Sequence, residues 1–210
     1  FQSLPDYFEQ QTFQQEYITS IQATKKHQLF SKHGFSLPSD LELLRYLCGF
    51  YCNNFVISND ELFPIGYGTF PIGALFNHSC YPNCIILYRN GQQIVKAIND
   101  IPPGKEICVS YCDGALLKEE RRKLLKVQHF FDCVCEKCLA GEDPSLNNQL
   151  KTCSVTFDLH VEHEQWKEAA DYSKRIVELY KAIYPENHPM IGLQLFTLAK
   201  IQFEKLKKLE

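Results

Sequence analysis

A chain of 210 residues with a 45% hydrophobic fraction is long enough to bury a core of its own, as one large domain or two small ones. Charged residues make up 22% and the net charge is −3. No global basic field therefore draws the chain to nucleic acid, and no run approaches the roughly 18–20 continuous apolar residues of a membrane helix.

No charged, apolar and small-residue segments form a secretion signal at the start, so a soluble intracellular protein is expected. The chain opens on Phe1 rather than Met, which points to a fragment or a processed product. Phe8, Phe13, Tyr17, Ile18, Ile21 and Leu29 recur at spacings near three and four, predicting an amphipathic helix over 6–31. Gly34 and Pro38 interrupt it. Ser39 stands three residues before Glu42, the spacing of a capping box, and opens a second helix through Leu41, Leu44, Leu47 and Phe50.

From 62 to 112 glycine, proline and short β-prone runs take over. Residues 84–89 and 92–98 flank Asn90-Gly91, a pair that supplies the positive φ angles of a tight hairpin turn. Pro102-Pro103-Gly104 makes a further turn before a short strand over 106–110. A charged helix is predicted over 118–128, its Lys118-Glu-Glu-Arg-Arg-Lys123 run read as a solvated face with i, i+4 pairs. Residues 141–144 read as a linker. Beyond it, helices are predicted over 148–162, 166–183 and 188–208, with a break at 184–189. Trp166, Tyr172, Ile176, Leu179 and Tyr180 form a stripe suited to the core of a helix pair. One such pair suggests a tetratricopeptide-like hairpin without establishing a repeat.

Ten cysteines are present, and three of them form the run Cys133-Val-Cys135-Glu-Lys-Cys138. A tight loop that points several thiolates at one point suits tetrahedral zinc, which takes four ligands. The fourth comes from elsewhere: Cys80 is the first candidate, Cys84 the second, and Cys153 a third beyond the linker. The alternative is a set of buried free thiols. A closed four-cysteine site has no open position, so such a zinc is structural. His160 and His163 with Cys153 are read as helix surface rather than as a second metal site.

Asn77-His-Ser-Cys-Tyr-Pro-Asn-Cys84, then Ile101-Pro-Pro-Gly-Lys-Glu-Ile-Cys-Val-Ser-Tyr-Cys-Asp113, then Cys133-x-Cys135-x-x-Cys138 follow in that order. Together they resemble the C-terminal half of a SET domain and its cysteine-rich post-SET segment. The helical tail resembles the C-terminal domain of the SET-and-MYND (SMYD) family, and the opening helices resemble the insert in its SET domain. The resemblance implies an α+β fold: a SET β-fold with its threaded pseudoknot, a post-SET zinc site, and a helical, tetratricopeptide-like lobe. The implied divisions are insert helices over 1–60, the SET half over 61–115, a helix and zinc segment over 116–145, and the helical lobe over 146–210.

The implied activity is transfer of a methyl group from S-adenosylmethionine to a protein lysine. Residue by residue, the resemblance places Asn53, Ala74, Leu75, Phe76, Asn77 and His78 at the cofactor, Phe131 against its adenine, and Tyr111 at both the cofactor and the methyl-transfer centre as the catalytic tyrosine. His129 stands where many relatives have a tyrosine; it can still stack on the cofactor and adds a titratable group to the site. The zinc ligands implied are Cys80, Cys133, Cys135 and Cys138. The implied partners are a histone tail or cytoplasmic protein carrying the target lysine, with a chaperone or peptide at the helical lobe, and the implied locations are cytoplasm and nucleus. Neither nucleic acid nor a membrane is expected as a direct partner. The Gly-rich cofactor loop and the MYND finger of the family fall before Phe1. The alternative is therefore a non-catalytic, zinc-stapled interaction module, or a fragment inactive on its own.

Overall fold

The computed structural model of the chain describes residues 18–21, 38–141 and 143–208. Residues 18–21 are helical with Ile21 buried; the rest of the helix expected over 6–31, including Phe8, Phe13, Tyr17 and Leu29, lies outside the described residues. Helix α1 (Asp40–Asn53) starts at the expected capping box: Ser39 N–H donates to the Glu42 carboxylate at 2.8 Å, and Glu42 N–H donates to Ser39 Oγ at 3.3 Å. Its buried side differs from the expected one. Cys48, Cys52 and Asn53 are buried while Leu41 and Phe50 face out.

Strand β1 (Asn54–Ser58) follows α1 without a break, so the segment expected to be helical up to residue 60 ends as a strand. It pairs antiparallel with β2 (Pro64–Thr69). A single 3-10 turn (Gly73–Leu75) leads into β3 (Asn77–His78), which pairs in parallel with β6 (Cys108–Val109). Between those two strands the chain makes the expected hairpin, β4 (Cys84–Arg89) and β5 (Gln92–Ala97), in register from Cys84↔Ala97 to Arg89↔Gln92. Asn90 and Gly91 take φ of 51° and 75°, the left-handed angles that a two-residue turn needs and glycine adopts freely.

The strand expected over 106–110 shrinks to two residues because a side chain replaces part of the ladder. Asn83 Oδ1 accepts from Cys108 N–H at 2.9 Å, and its Nδ2 donates to the Glu106 carbonyl at 2.8 Å. That amide satisfies backbone groups a neighbouring strand would otherwise take.

Helix α2 (Lys118–His129) is capped where the Glu120 carboxylate accepts from Leu117 N–H at 3.0 Å. The expected solvated face holds for Glu119, Glu120 and Lys123, which are exposed, but not for Arg121, which is 0% exposed. Among the described residues, the ion pairs from Glu120 to Lys151 and from Arg122 and Lys126 to Asp132 reach other segments rather than i, i+4 neighbours. A short helix, α3 (Glu136–Leu139), carries the last cysteine of the run.

Helix α4 (Pro144–Glu162) begins earlier than expected. Asp143 Oδ1 accepts from Ser145 N–H at 2.9 Å with Pro144 in the first turn; Asp-Pro-Ser is a helix start, which the linker reading missed. Helices α5 (Trp166–Ile183) and α6 (Pro189–Lys207) follow. Helix α5 packs against both neighbours, with Leu150, Ile176, Leu179, Ile183, Tyr184 and Ile191 as the core. His160 stacks on Tyr172, in keeping with a structural role.

Among the described residues, polar contacts join the helical lobe to the SET half: Asn147 Nδ2 donates to the Ala115 carbonyl at 2.6 Å, Tyr184 OH to Asp113 Oδ1 at 2.6 Å, and Asn187 Nδ2 to the Ile98 carbonyl at 2.9 Å. Lys137 Nζ on α3 bridges the two, donating to the Gly114 carbonyl at 2.9 Å and the Ile183 carbonyl at 3.2 Å. Among the described residues, no helix is long and apolar enough to cross a membrane.

Candidate active site and metal centre

The parallel ladder brings the two motifs together. Pairing Asn77 with Cys108 and His78 with Val109 sets Tyr111 directly beside the His78 ring. Tyr111 N–H donates to His78 Nδ1 at 2.9 Å, so that nitrogen carries the lone pair and the ring proton sits on Nε2. Nε2 lies 3.2 Å from Cys80 Sγ and donates to it. One imidazole thus ties the candidate catalytic tyrosine to a candidate metal ligand. Burial, with His129 and Arg121 nearby, pushes His78 down to about 4, in agreement with a ring held neutral by these two contacts.

The sulfurs of Cys80, Cys133, Cys135 and Cys138 all lie within 4.8 Å of one another. Cys80 Sγ is 3.9 Å from Cys133 Sγ and 3.6 Å from Cys138 Sγ. A tetrahedron with Zn–S bonds of about 2.3 Å has S···S edges of about 3.8 Å, so the cluster fits one zinc ion. Cys84, at the start of β4, and Cys153, in the helical lobe, stay outside it. Burial raises the Cys138 thiol to about 11 and pushes the Cys133 thiol up. Burial also opposes ionisation of Cys135, but backbone N–H groups of Cys138 and Cys80 more than offset it and bring that thiol down to about 7. Four thiolates around a dication leave a net charge of about −2. The buried Arg121 guanidinium sits where that charge is: it hydrogen-bonds to Cys80 and Cys138 and donates to the Leu116 carbonyl.

Above the cluster lies a cleft of about 960 Å³ lined by Asn53, Ala74, Asn77, His78, Tyr111 and Phe131, among others. A second cavity of about 410 Å³ is lined by Tyr51, Phe55, Tyr67, Ile86, Tyr88 and Tyr111, with other residues. Cys52, Asn53, Ala74, Tyr111 and His129 line both, so the two cavities adjoin at these residues, hereafter the neck. Tyr111 OH donates to the Phe76 carbonyl at 2.5 Å, and its ring centroid lies 4.7 Å from that of His129 and 6.5 Å from that of Phe131. Phe130 takes a left-handed φ of 58° at the end of α2, a turn that lets His129 and Phe131 reach the same cleft from either side of it.

The positions singled out in the sequence therefore gather here with two qualifications. Leu75 points away from the cleft, with 70% of its surface exposed, and Phe76 is present through its carbonyl rather than its ring. Asn77 lines the cleft, its Nδ2 donating to Glu106 Oε1 at 2.6 Å. Sequence reasoning missed Asn83, Glu106 and Arg121. An Asn after a Pro and an Arg inside a charged run carry no local mark of burial.

The SET domain profile matches residues 6–112. Histone-lysine N-methyltransferase SMYD3 of Mus musculus is 27% identical over 219 residues, covering 80% of this chain and 51% of that protein. N-lysine methyltransferase SMYD2-A of Danio rerio is 28% identical over 180 residues, covering 86% of this chain and 40% of that protein. N-lysine methyltransferase SMYD2 of Rattus norvegicus is 29% identical over 174 residues, 83% of this chain and 39% of that protein. The chain spans about half the length, or less, of these curated relatives. It belongs to the SET-domain family, in which its relatives are SMYD lysine methyltransferases.

Proposed function

We propose that the chain carries the catalytic tyrosine, much of the cofactor cleft and the structural zinc site of an S-adenosylmethionine-dependent protein lysine methyltransferase. The observation that carries this reading is the neck: a large cleft with amide and aromatic walls meets a smaller aromatic cavity at Tyr111 and His129. The large cleft lies in the size range of small-molecule sites, about 300–1,000 Å³. The cofactor supplies a methyl group on a sulfonium sulfur. Asn53, Ala74, Asn77, His78 and Phe131 hold it on the larger side, with the backbone of Leu75 and Phe76 at its edge.

The aromatic cavity takes the lysine stem and excludes water. Its walls favour the neutral amine over the ammonium, whose unperturbed pKa is near 10.4. Because the Tyr111 O–H donates its hydrogen bond to the Phe76 carbonyl, its oxygen presents lone pairs to an amine N–H. Tyr111 therefore positions and polarises, since a phenol with a pKa near 10 is a weak base at neutral pH. Cys80, Cys133, Cys135 and Cys138 would hold a fully ligated zinc, which would tie the segment carrying Phe131 to the strand region beside the tyrosine.

The relatives' names support histone and non-histone protein substrates, and we extend this to histone tails and cytoplasmic proteins, with activity in cytoplasm and nucleus. The divisions at 1–60, 61–115, 116–145 and 146–210 are kept as proposals, supported by the separate cores of the helical lobe and the cysteine cluster. Phe196 and Phe203, exposed one above the other on α6, support a peptide or chaperone contact on the helical lobe.

The test is calorimetric binding of S-adenosylhomocysteine to the chain with zinc content measured on the same sample. Micromolar binding with one zinc per chain is expected. One zinc without binding overturns the cofactor reading for this chain and favours an interaction module or a fragment inactive on its own.

A further inference from the structure

Resting on the methyltransferase reading, we propose that His129 is the proton acceptor for the substrate lysine: it takes a proton from the ammonium so that the amine can attack. The smaller cavity carries the argument. Among the described residues its lining holds no Asp, Glu, Lys or Arg. A lysine arriving as an ammonium meets tyrosine phenols, two serines, amides and the Cys52 thiol, none of which is an effective proton acceptor near neutral pH. His129 is the exception, and it stands in the neck beside Tyr111.

Its surroundings suit a proton acceptor. Burial keeps the imidazole neutral, opposed by a hydrogen bond to the Cys52 backbone. That bond occupies one ring nitrogen as donor and leaves the other with its lone pair. Once the proton arrives, the same Cys52 carbonyl stabilises the imidazolium, as does the C-terminal end of α2, where helix carbonyls favour a cation. The groups that face the ring are Cys52 and Asn53 from α1, His78 from β3, Tyr111 after β6 and Phe131 beyond α2. His78 is held neutral by its contacts with Tyr111 N–H and Cys80, so it adds no protein cation at the neck; the positive charge there would be the cofactor's sulfonium, which disfavours the incoming ammonium and is lost on methyl transfer.

The step balances. The ammonium N–H bond breaks and its proton passes to the imidazole lone pair; the freed amine pair takes the methyl carbon, and the sulfur–carbon pair stays on sulfur. The methylated lysine leaves as an ammonium, and His129 returns its proton to solvent. One proton is released per methyl transferred.

The experiment compares the parent full-length chain with H129F and H129G in methyl transfer to a lysine peptide across pH. S-adenosylhomocysteine affinity is measured on each, and the His129 titration is read by NMR as the imidazole signal lost in H129F. The expected kcat of the parent falls about tenfold per pH unit below that midpoint. H129F is expected to lose about tenfold or more in kcat, with KM and S-adenosylhomocysteine affinity changed less than about threefold. Free imidazole should restore part of the H129G rate in proportion to its neutral fraction. An acid limb unchanged in H129F overturns the assignment of His129 alone. A parent that transfers no methyl group overturns the methyltransferase reading and this inference with it.

Discussion

At the scale of single residues, Arg121 and Tyr111 carry the sharpest expectations. Arg121 is the buried cation against the thiolate cluster. Replacing it by methionine keeps the bulk and leaves the cluster's negative charge uncompensated, so Arg121→Met should weaken zinc binding by about tenfold to a hundredfold, the usual effect of losing an outer partner of a metal site. Competition with a chelator reads this directly. Arg121→Lys should fall between the two, because it keeps the charge and loses the planar fork. Tyr111→Phe removes the oxygen that faces the neck and the donor to the Phe76 carbonyl. It should lower kcat by about a hundredfold while S-adenosylhomocysteine affinity stays within about twofold. Equal losses in both would make Tyr111 a packing residue.

At the scale of elements, the β4–β5 hairpin positions the Asn83 amide that braces Cys108. Its turn depends on positive φ at Asn90 and Gly91. Gly91→Ala should cost about 1 kcal/mol, read as a shift of the denaturant midpoint without a change of slope. The same turn was legible in the sequence because Asn-Gly between alternating strands has few other uses. Helix α4 starts at Pro144 rather than at the expected residue 148, because Asp143-Pro144, which reads as a linker, is equally an acceptor followed by proline and so a helix start. The choice depends on Leu146 and Leu150 having a core to enter, and that core is formed by α5 and α6.

At the scale of the whole molecule, the candidate zinc site and the buried histidines should set the dependence of stability on solution conditions. The post-SET segment has little apolar core beyond Leu125 and the cysteines themselves, so chelation should lower the melting temperature by about 10 °C or more and be reversed by added zinc. His129 and His188 are both held below their ordinary value by burial, with Asp113 opposing the shift at His188. With the folded value depressed, the unfolded chain binds more protons. The stability these groups contribute is therefore present above about pH 6.5 and is lost as pH falls through the folded values. His188 also accepts from Met190 N–H at the start of α6. Because asparagine can keep that cap, His188→Asn should flatten the fall in melting temperature between about pH 7 and 5 without a large loss at neutral pH. An unchanged slope would clear His188 of the effect.

The sequence by itself determined the start of α1, the β4–β5 hairpin, the helices α2, α5 and α6, the three clustered thiols and, through motif order, the family. Each rests on a local rule of spacing or turn chemistry that holds wherever the segment lies. Tertiary structure alone decided that Cys80 completes the four-sulfur cluster, that Leu75 turns outward from the cleft, and that Arg121 is buried in the midst of a charged run. It also decided that Asp113 and Tyr184, far apart in the chain, share a 2.6 Å hydrogen bond. The reason is physical: burial and charge compensation depend on what arrives from elsewhere in the chain, and β3 meets β6 across an intervening hairpin whose Asn83 side chain braces Cys108.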